Sequence, residues 1–277
     1  GLMVLNKVIR KSKKIYKTEL EKRVSRFSES IKHTYPVIIL GTQKSGTTAI
    51  AALLAELTGK SVTLDVVRAI RQPEWKILLR YGIGSFEEYV YKYRKEFSRD
   101  IIKEPTMTYF YSEILSIFPN AKFVMVQRNP FDNIRSILNR LSLPGDLKSI
   151  DFSNHPELAN SAAWRINLDS TWLGHVPLNY IDALAFRWKL AARIYLNNQD
   201  RMLLLKYEDF VGSKIFQMND LADRLGLEKV KDISGSLDKQ YQRKGDSNTD
   251  LGQFFGDNYS LIHRMCCQEA EMLGYKM

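Results

Sequence analysis

Cysteine is nearly absent: Cys266 and Cys267 are the only two in 277 residues, and they are neighbours. No disulfide framework can hold this fold, so a reducing, cytoplasmic compartment is the expectation. No apolar run approaches the about 18 residues of a membrane-spanning helix. The first residues show neither a signal-peptide core nor a cleavage site. Zinc-finger spacing, an aromatic RNA-binding signature and basic-zipper heptads are all missing, so a nucleic-acid partner is not expected. Acid is also in short supply, with 31 Asp and Glu against 41 Lys and Arg, a net charge of +10. That surplus favours a polyanionic partner, such as a nucleotide with several phosphates or an anionic lipid surface. The 44% hydrophobic content is enough for one sizeable core, and one domain is expected.

What the chain does have is a strand, a loop and a helix in immediate succession over residues 37–57. Val37, Ile38, Ile39 and Leu40 form a mostly β-branched run suited to a buried parallel strand, and Ile50, Leu53, Leu54 and Leu57 repeat at helical spacing. The polar turn between them turns backbone N–H groups and the positive end of a helix dipole toward one point. It reads as an anion cradle. A nucleoside-triphosphatase loop, G-x-x-x-x-G-K-[ST], puts its lysine directly after the second glycine. Here Gly41 and Gly46 keep that glycine spacing, but Thr47 takes the lysine's place and Lys44 lies inside the loop.

The rest of the chain predicts an α/β fold, a central parallel sheet flanked by helices. Residues 1–34 read as a basic helical extension, one that could rest on an anionic membrane or pack on the flank of a domain spanning 35–277. Residues 61–67 read as a second strand carrying Asp65, and 101–105 as a third with Lys103 and Glu104 at its carboxyl edge, where open α/β sheets bind ligands. Residues 122–127 make the strongest strand and 202–207 the last. Between them, residues 142–182 are an irregular stretch rich in turn clusters, expected to act as the acceptor-binding lid.

The run Gln43-Lys44-Ser45-Gly46-Thr47-Thr48 resembles the 5′-phosphosulfate loop of sulfotransferases that use 3′-phosphoadenosine 5′-phosphosulfate (PAPS), written [PR]-[KR]-S-G-T-T. Arg128-Asn129-Pro130-Phe131-Asp132, with Ser136 beyond, is similar to that family's R-[DN]-P-x-D-x-x-x-S segment. Tyr207 within Lys206-Tyr207-Glu208-Asp209, and the turn Arg243-Lys244-Gly245, are further likenesses, in the family's order. The resemblance implies metal-free, in-line sulfuryl transfer from PAPS to an acceptor hydroxyl, leaving 3′,5′-adenosine bisphosphate. It implies Lys44 at the bridging oxygen, Ser45, Thr47 and Thr48 on the 5′-phosphate, and Arg128, Ser136 and the Arg243-Lys244-Gly245 turn on the 3′-phosphate.

Where cytosolic members carry K-T-H, with a histidine base, this chain has Lys103-Glu104-Pro105. The segment is nearer the K-D-P of protein-tyrosine members, whose base is a Glu about twenty residues past the loop. Asp65 stands at that separation and is the expected base, with Glu104 the runner-up and Lys103 a second cation at the sulfuryl group. The acceptor is read as a carbohydrate or glycolipid hydroxyl, with a peptide tyrosine or a small alcohol left open. Two other readings stay open on sequence alone: a different P-loop enzyme such as a nucleotide kinase, and a basic protein that binds membranes or nucleic acid.

Overall fold

The computed structural model describes residues 2–238 and 250–277. In chain order the main elements are α1 (Leu2–Ile31), β1 (Val37–Gly41), α2 (Thr47–Thr58), β2 (Val62–Thr63), α3 (Phe86–Lys92), β3 (Ile101–Lys103), α4 (Tyr111–Ile117), β4 (Lys122–Gln127), α5 (Pro130–Arg140), α6 (Tyr180–Leu196), β5 (Met202–Lys206), α7 (Lys214–Arg224) and α8 (Asn258–Met272). The five strands form one parallel sheet in the order β2-β3-β1-β4-β5. β1 is central, and the chain builds the sheet first to one side of it and then to the other. All five carboxyl ends therefore open on the same edge.

β1 is buried on both faces because its side chains alternate between two cores. Ile38 and Leu40 pack with Ile102, Phe123 and Met125 against the aromatic layer of Tyr89, Phe97, Phe110 and Phe118. Val37 and Ile39 pack with Ile101, Val124 and Val126 against α2 and α7, through Leu53, Leu54, Met218 and Leu221. A third core, lying off the sheet, joins α5, α6 and α8 through Ile134, Leu138, Leu184, Trp188, Ile262 and Cys266. It fixes the helix that follows β4.

One strand is shorter than the sequence implied. β2 covers only Val62–Thr63 and pairs with β3 alone. Past Thr63 the chain leaves the sheet, because the Val66 amide donates to the Glu104 carboxylate at 3.3 Å and Val67–Ile70 coils into a helical turn. Asp65 thus sits on a loop beyond the strand, not within it. Residues 142–182 hold only short helical turns, as expected, but the stretch is anchored. Trp172 is buried, stacks on Phe110 and donates to the Asp169 carbonyl at 3.0 Å, while His175 pairs with Asp182 at 2.7 Å.

α1 is a 30-residue helix with Val24 and Ile31 as its only buried side chains. Its last turns meet α3, with Phe27 edge-on to Tyr91 at 5.8 Å. Among the described residues no helix is long and apolar enough to cross a membrane.

Gly41 closes β1 at φ +146°, where a Cβ would lie 2.7 Å from the Val126 carbonyl oxygen. Gly41→Ala combines backbone strain with a clash against rigid sheet, and should lower the unfolding free energy by about 2–5 kcal/mol. A urea titration reads this as a lower midpoint with an unchanged slope.

Candidate active site at the carboxyl edge of the sheet

The loop between β1 and α2 carries Lys44 at φ +64° and Gly46 at φ +92°. Two left-handed residues this close curl the chain so that successive N–H groups face inward, a concavity suited to an anion. Gly46 is also the N-cap of α2 and supplies no side-chain cap, so the first amides of the helix face the same point. A Cβ there would meet the Tyr207 ring at 2.6 Å, so glycine is required for close packing as well as for its dihedral.

Neutral side chains hold the loop from beneath. Thr42 Oγ1 and Ser45 Oγ share a hydrogen bond of 2.7 Å, and Thr42 donates to Asn133 Oδ1 at 3.1 Å. Asn133 Nδ2 donates to the Gln43 carbonyl at 2.8 Å and to Ser45 Oγ at 3.2 Å. At the end of β1, Thr108 Oγ1 accepts from the Gly41 amide at 2.9 Å. Thr47 is buried at the first turn of α2, and Thr48 follows it.

Arg128 leaves β4 and donates to the Lys44 carbonyl at 2.9 Å, its guanidinium 4.3 Å from the centre of the Tyr207 ring. Among the described residues its Nε is buried without a partner, an orphaned donor of the kind a bound anion satisfies. Trp188 Nε1 donates to the Arg128 carbonyl at 2.9 Å, which ties this arginine to the third core. The next amide, Asn129, donates to Glu208 at 2.8 Å, and the Asn129 side chain caps α5 by accepting from Phe131 and Asp132. On α5, Asn133, Ser136 and Arg140 are spaced three and four residues apart and share the face that Asn133 turns to the loop. Burial, then Arg128 and Arg140, lower the Lys44 pKa.

Around the end of β3 a second set of charges gathers. Lys103 is buried and donates to Asp65 at 2.9 Å, while Asp65 keeps 31% of its side chain exposed. Burial raises the Asp65 carboxyl above its ordinary range against the pull of Lys103, and Glu104 adds to the rise. Both oxygens of the buried Glu104 accept backbone amides, Thr106 at 3.1 Å and Val66 at 3.3 Å. Lys76 is 5% exposed, and burial brings its pKa down to about 8 although Glu104 opposes the fall. Arg187, from α6, donates to Gln43 Oε1 at 2.9 Å and lies 5.0 Å from the Tyr109 ring centre. Its Nη1 is buried with no partner among the described residues. Gln43 is therefore the hinge between the two sets.

Lys44, Asp65, Lys103, Glu104, Arg128, Ser136 and Tyr207 thus border one edge of the sheet, with the loop residues 43–48 at its centre. Arg243, Lys244 and Gly245 lie outside the described residues. Sequence reasoning missed Lys76, Thr108, Asn133 and Arg187. Two of these had a visible signal: Lys76 is a lone cation beside Trp75, Ile77, Leu78 and Leu79, and Arg187 interrupts the apolar face of α6 beside Trp188.

No curated protein sequence matches the chain significantly. Among solved structures, the fold is similar to the sulfotransferase STF9 from Mycobacterium avium (TM-score 0.54, 10% identity, 90% of this chain and 79% of that one). It is also similar to sulfotransferase STF1 from Mycobacterium tuberculosis (TM-score 0.51, 10% identity, 86% and 78%). A sulfotransferase from Alicyclobacillus acidocaldarius gives a TM-score of 0.50 at 13% identity, over 88% and 98%. At these identities the likeness is one of fold. The sequence itself carries the family: residues 60–232, more than half of the chain, match the family described as sulfotransferase. This protein therefore belongs to the sulfotransferase family.

Proposed function

We propose that the chain moves a sulfuryl group from PAPS to an acceptor hydroxyl of carbohydrate type. The observation that carries this reading is the curled loop at Lys44 and Gly46, set over the uncapped start of α2 and flanked by the Nε of Arg128, buried and without a partner among the described residues. A single phosphate would not need two separate cationic clusters. A donor with a 3′-phosphate, a 5′-phosphate and a sulfuryl group would. Membership of the sulfotransferase family also sets aside the kinase reading.

In this proposal the loop amides with Ser45, Thr47 and Thr48 hold the 5′-phosphate, and Arg128 and Ser136 the 3′-phosphate, to which the family resemblance adds Arg243, Lys244 and Gly245. PAPS supplies the activated sulfuryl group. Lys44 offsets charge on the leaving phosphate oxygen, while Lys103 and Arg187 offset charge on the sulfuryl oxygens. As the acceptor oxygen bonds to sulfur and the sulfur–phosphate oxygen bond breaks, a base must take the acceptor proton. Asp65 suits that task better than Glu104: it is partly exposed and held by one lysine, whereas both Glu104 oxygens are engaged by backbone amides.

Calorimetric titration without metal should show 3′,5′-adenosine bisphosphate binding at least about tenfold more tightly than 5′-AMP, with the gap closed in Arg128→Ala. Equal or negligible binding of both nucleotides would remove the PAPS reading.

Asp65→Asn should lower the turnover rate by about 10² to 10⁴ and leave adenosine bisphosphate affinity unchanged. The wild-type rate should fall as pH drops through the raised Asp65 pKa, on an acid limb above that of an ordinary aspartate. An unchanged rate and pH profile in Asp65→Asn, with loss in Glu104→Gln instead, would transfer the role to Glu104.

Lys76 gives a stability test. With a folded pKa of about 8 against 10.5 for a free lysine, the unfolded chain binds more protons between those limits, so stability rises with pH across that window. Lys76→Met should add roughly 3 kcal/mol below pH 8, an advantage that fades toward pH 10.5. Urea midpoints at pH 7 and pH 10.5 check both the sign and the window.

A further inference from the structure

Beside Asp65, on the free edge of β2, lies a groove of about 680 Å³. Its rim carries five cations, Arg68, Lys92, Arg94, Lys95 and Arg99, and only two acids, Asp65 and Glu96. Arg68 is matched by Glu96 through a two-point contact of 3.0 and 2.8 Å. Asp65 is matched by Lys103. Lys92 and Arg94 rest on neutral oxygens, Gln72 Oε1 at 2.9 Å and the Tyr91 carbonyl at 3.0 Å, and Lys95 and Arg99 are exposed. Among the described residues these four cations make no ion pair, although Lys95 lies in the field of Glu96, and they stand around a concave surface that ends at Asp65. Guarding a bare strand edge explains a charge or two, but not a cationic rim around a cavity of ligand size.

We propose that this groove is the acceptor site and takes an acidic saccharide, its carboxylate or sulfate groups toward Lys95 and Arg99 and its hydroxyl at Asp65. This rests on the sulfuryl-transfer reading above. The lining holds no aromatic side chain, and Val62 and Leu64 are its only large apolar ones, so a tyrosine ring would find no apolar slot there. A sugar, polar on every edge, needs none. The test is calorimetry on the intact chain with hyaluronan tetrasaccharide, which carries carboxylates, against neutral chitotetraose. Adenosine bisphosphate affinity is measured on the same samples. The acidic sugar should bind at least about tenfold more tightly, and the double variant Lys95→Glu/Arg99→Glu should abolish that preference while circular dichroism and nucleotide affinity hold. Equal affinity, no binding of either sugar, or a preference that survives charge reversal would overturn the proposal. A preference that is present while adenosine bisphosphate fails to bind would leave the saccharide groove standing and remove the PAPS reading instead.

A second surface stands on different observations. Residues 2–17 of α1 carry Lys7, Arg10, Lys11, Lys13, Lys14 and Lys17 and no acid. Placed at about 100° per residue, Val4, Ile15, Val8, Leu5, Tyr16, Ile9 and Leu2 fall in that order within one arc of about 160°, and the six cations fill the opposite side. The arc is open to water: Leu5 is 58% exposed, Val8 55%, Ile15 55% and Tyr16 74%. Six like charges oppose a second copy of the same helix, and the wide apolar arc has no use on nucleic acid. We infer that this half of α1 lies on an anionic lipid surface. In co-sedimentation the intact chain should bind phosphatidylcholine vesicles only when phosphatidylserine is present, and less at high salt. Val8→Glu/Ile15→Glu should weaken binding at least about tenfold with helicity unchanged. No binding, equal binding to neutral vesicles, an unaffected variant, or dimerisation that the same variant abolishes would overturn it.

Discussion

Like-charge repulsion is the constraint around which this molecule is built. Lys44, Lys76, Lys103, Arg128, Arg140 and Arg187 are gathered at one edge of the sheet, where Asp65 and Glu104 are the acids described above. Such a set cannot hold itself together. Asp65 pairs with Lys103 and Glu157 with Arg140, and the rest is held by groups that carry no charge: Asn133 under the loop, Gln43 between Lys44 and Arg187, Thr108 at the end of β1, Trp188 on the Arg128 carbonyl. The pKa values of Lys44 and Lys76 are lowered first by burial and then by this repulsion, from Arg128 and Arg140 on Lys44 and from Arg187 on Lys76. A polyanion relieves it, so the folding energy spent on assembling the cations returns as affinity for the ligand.

That energy comes from the three cores. The sheet aligns the ends of β1, β3 and β4 because Ile38 is in register with both Ile102 and Phe123, which brings the segments carrying Lys44, Lys103 and Arg128 to a common edge. The off-sheet core then decides where α5 and α6 lie. Asn133 and Arg187 reach the loop only because Ile134, Leu138 and Trp188 are locked on the other sides of those helices. The same core therefore serves stability and ligand geometry, and a cavity opened in it would be felt at the loop.

This division explains what the sequence could show. The strands at residues 37–41, 122–127 and 202–206 were legible from apolar runs, and the loop from its glycines and displaced lysine, since these are local features. Arg128 was legible because it follows a strand directly. Arg187 showed only as a break in an apolar helix face; that it acts on Gln43, 144 residues away, rests on packing that no local pattern encodes. Asn133 looked like any polar position on an amphipathic helix. Asp65 was found by its separation from Lys44, but placed on a strand. β-branched content promised pairing that an edge position next to the short β3 could not supply, and the Glu104 carboxylate took the Val66 amide instead.

The departure of Asp65 from the sheet has a chemical consequence. A carboxylate pointing out of a buried strand would be fixed by its register and shielded by both layers. On the loop after β2, Asp65 keeps one oxygen on Lys103 and still opens onto the edge groove. Lys103 in turn is set by β3, in register with Ile39 of the strand that carries the anion loop. Asp65 and the anion cradle are thus coupled through a single pair of adjacent strands, while the edge groove lies outside that pair. The groove and the loop are separated by β3, through which β2 and β1 are joined.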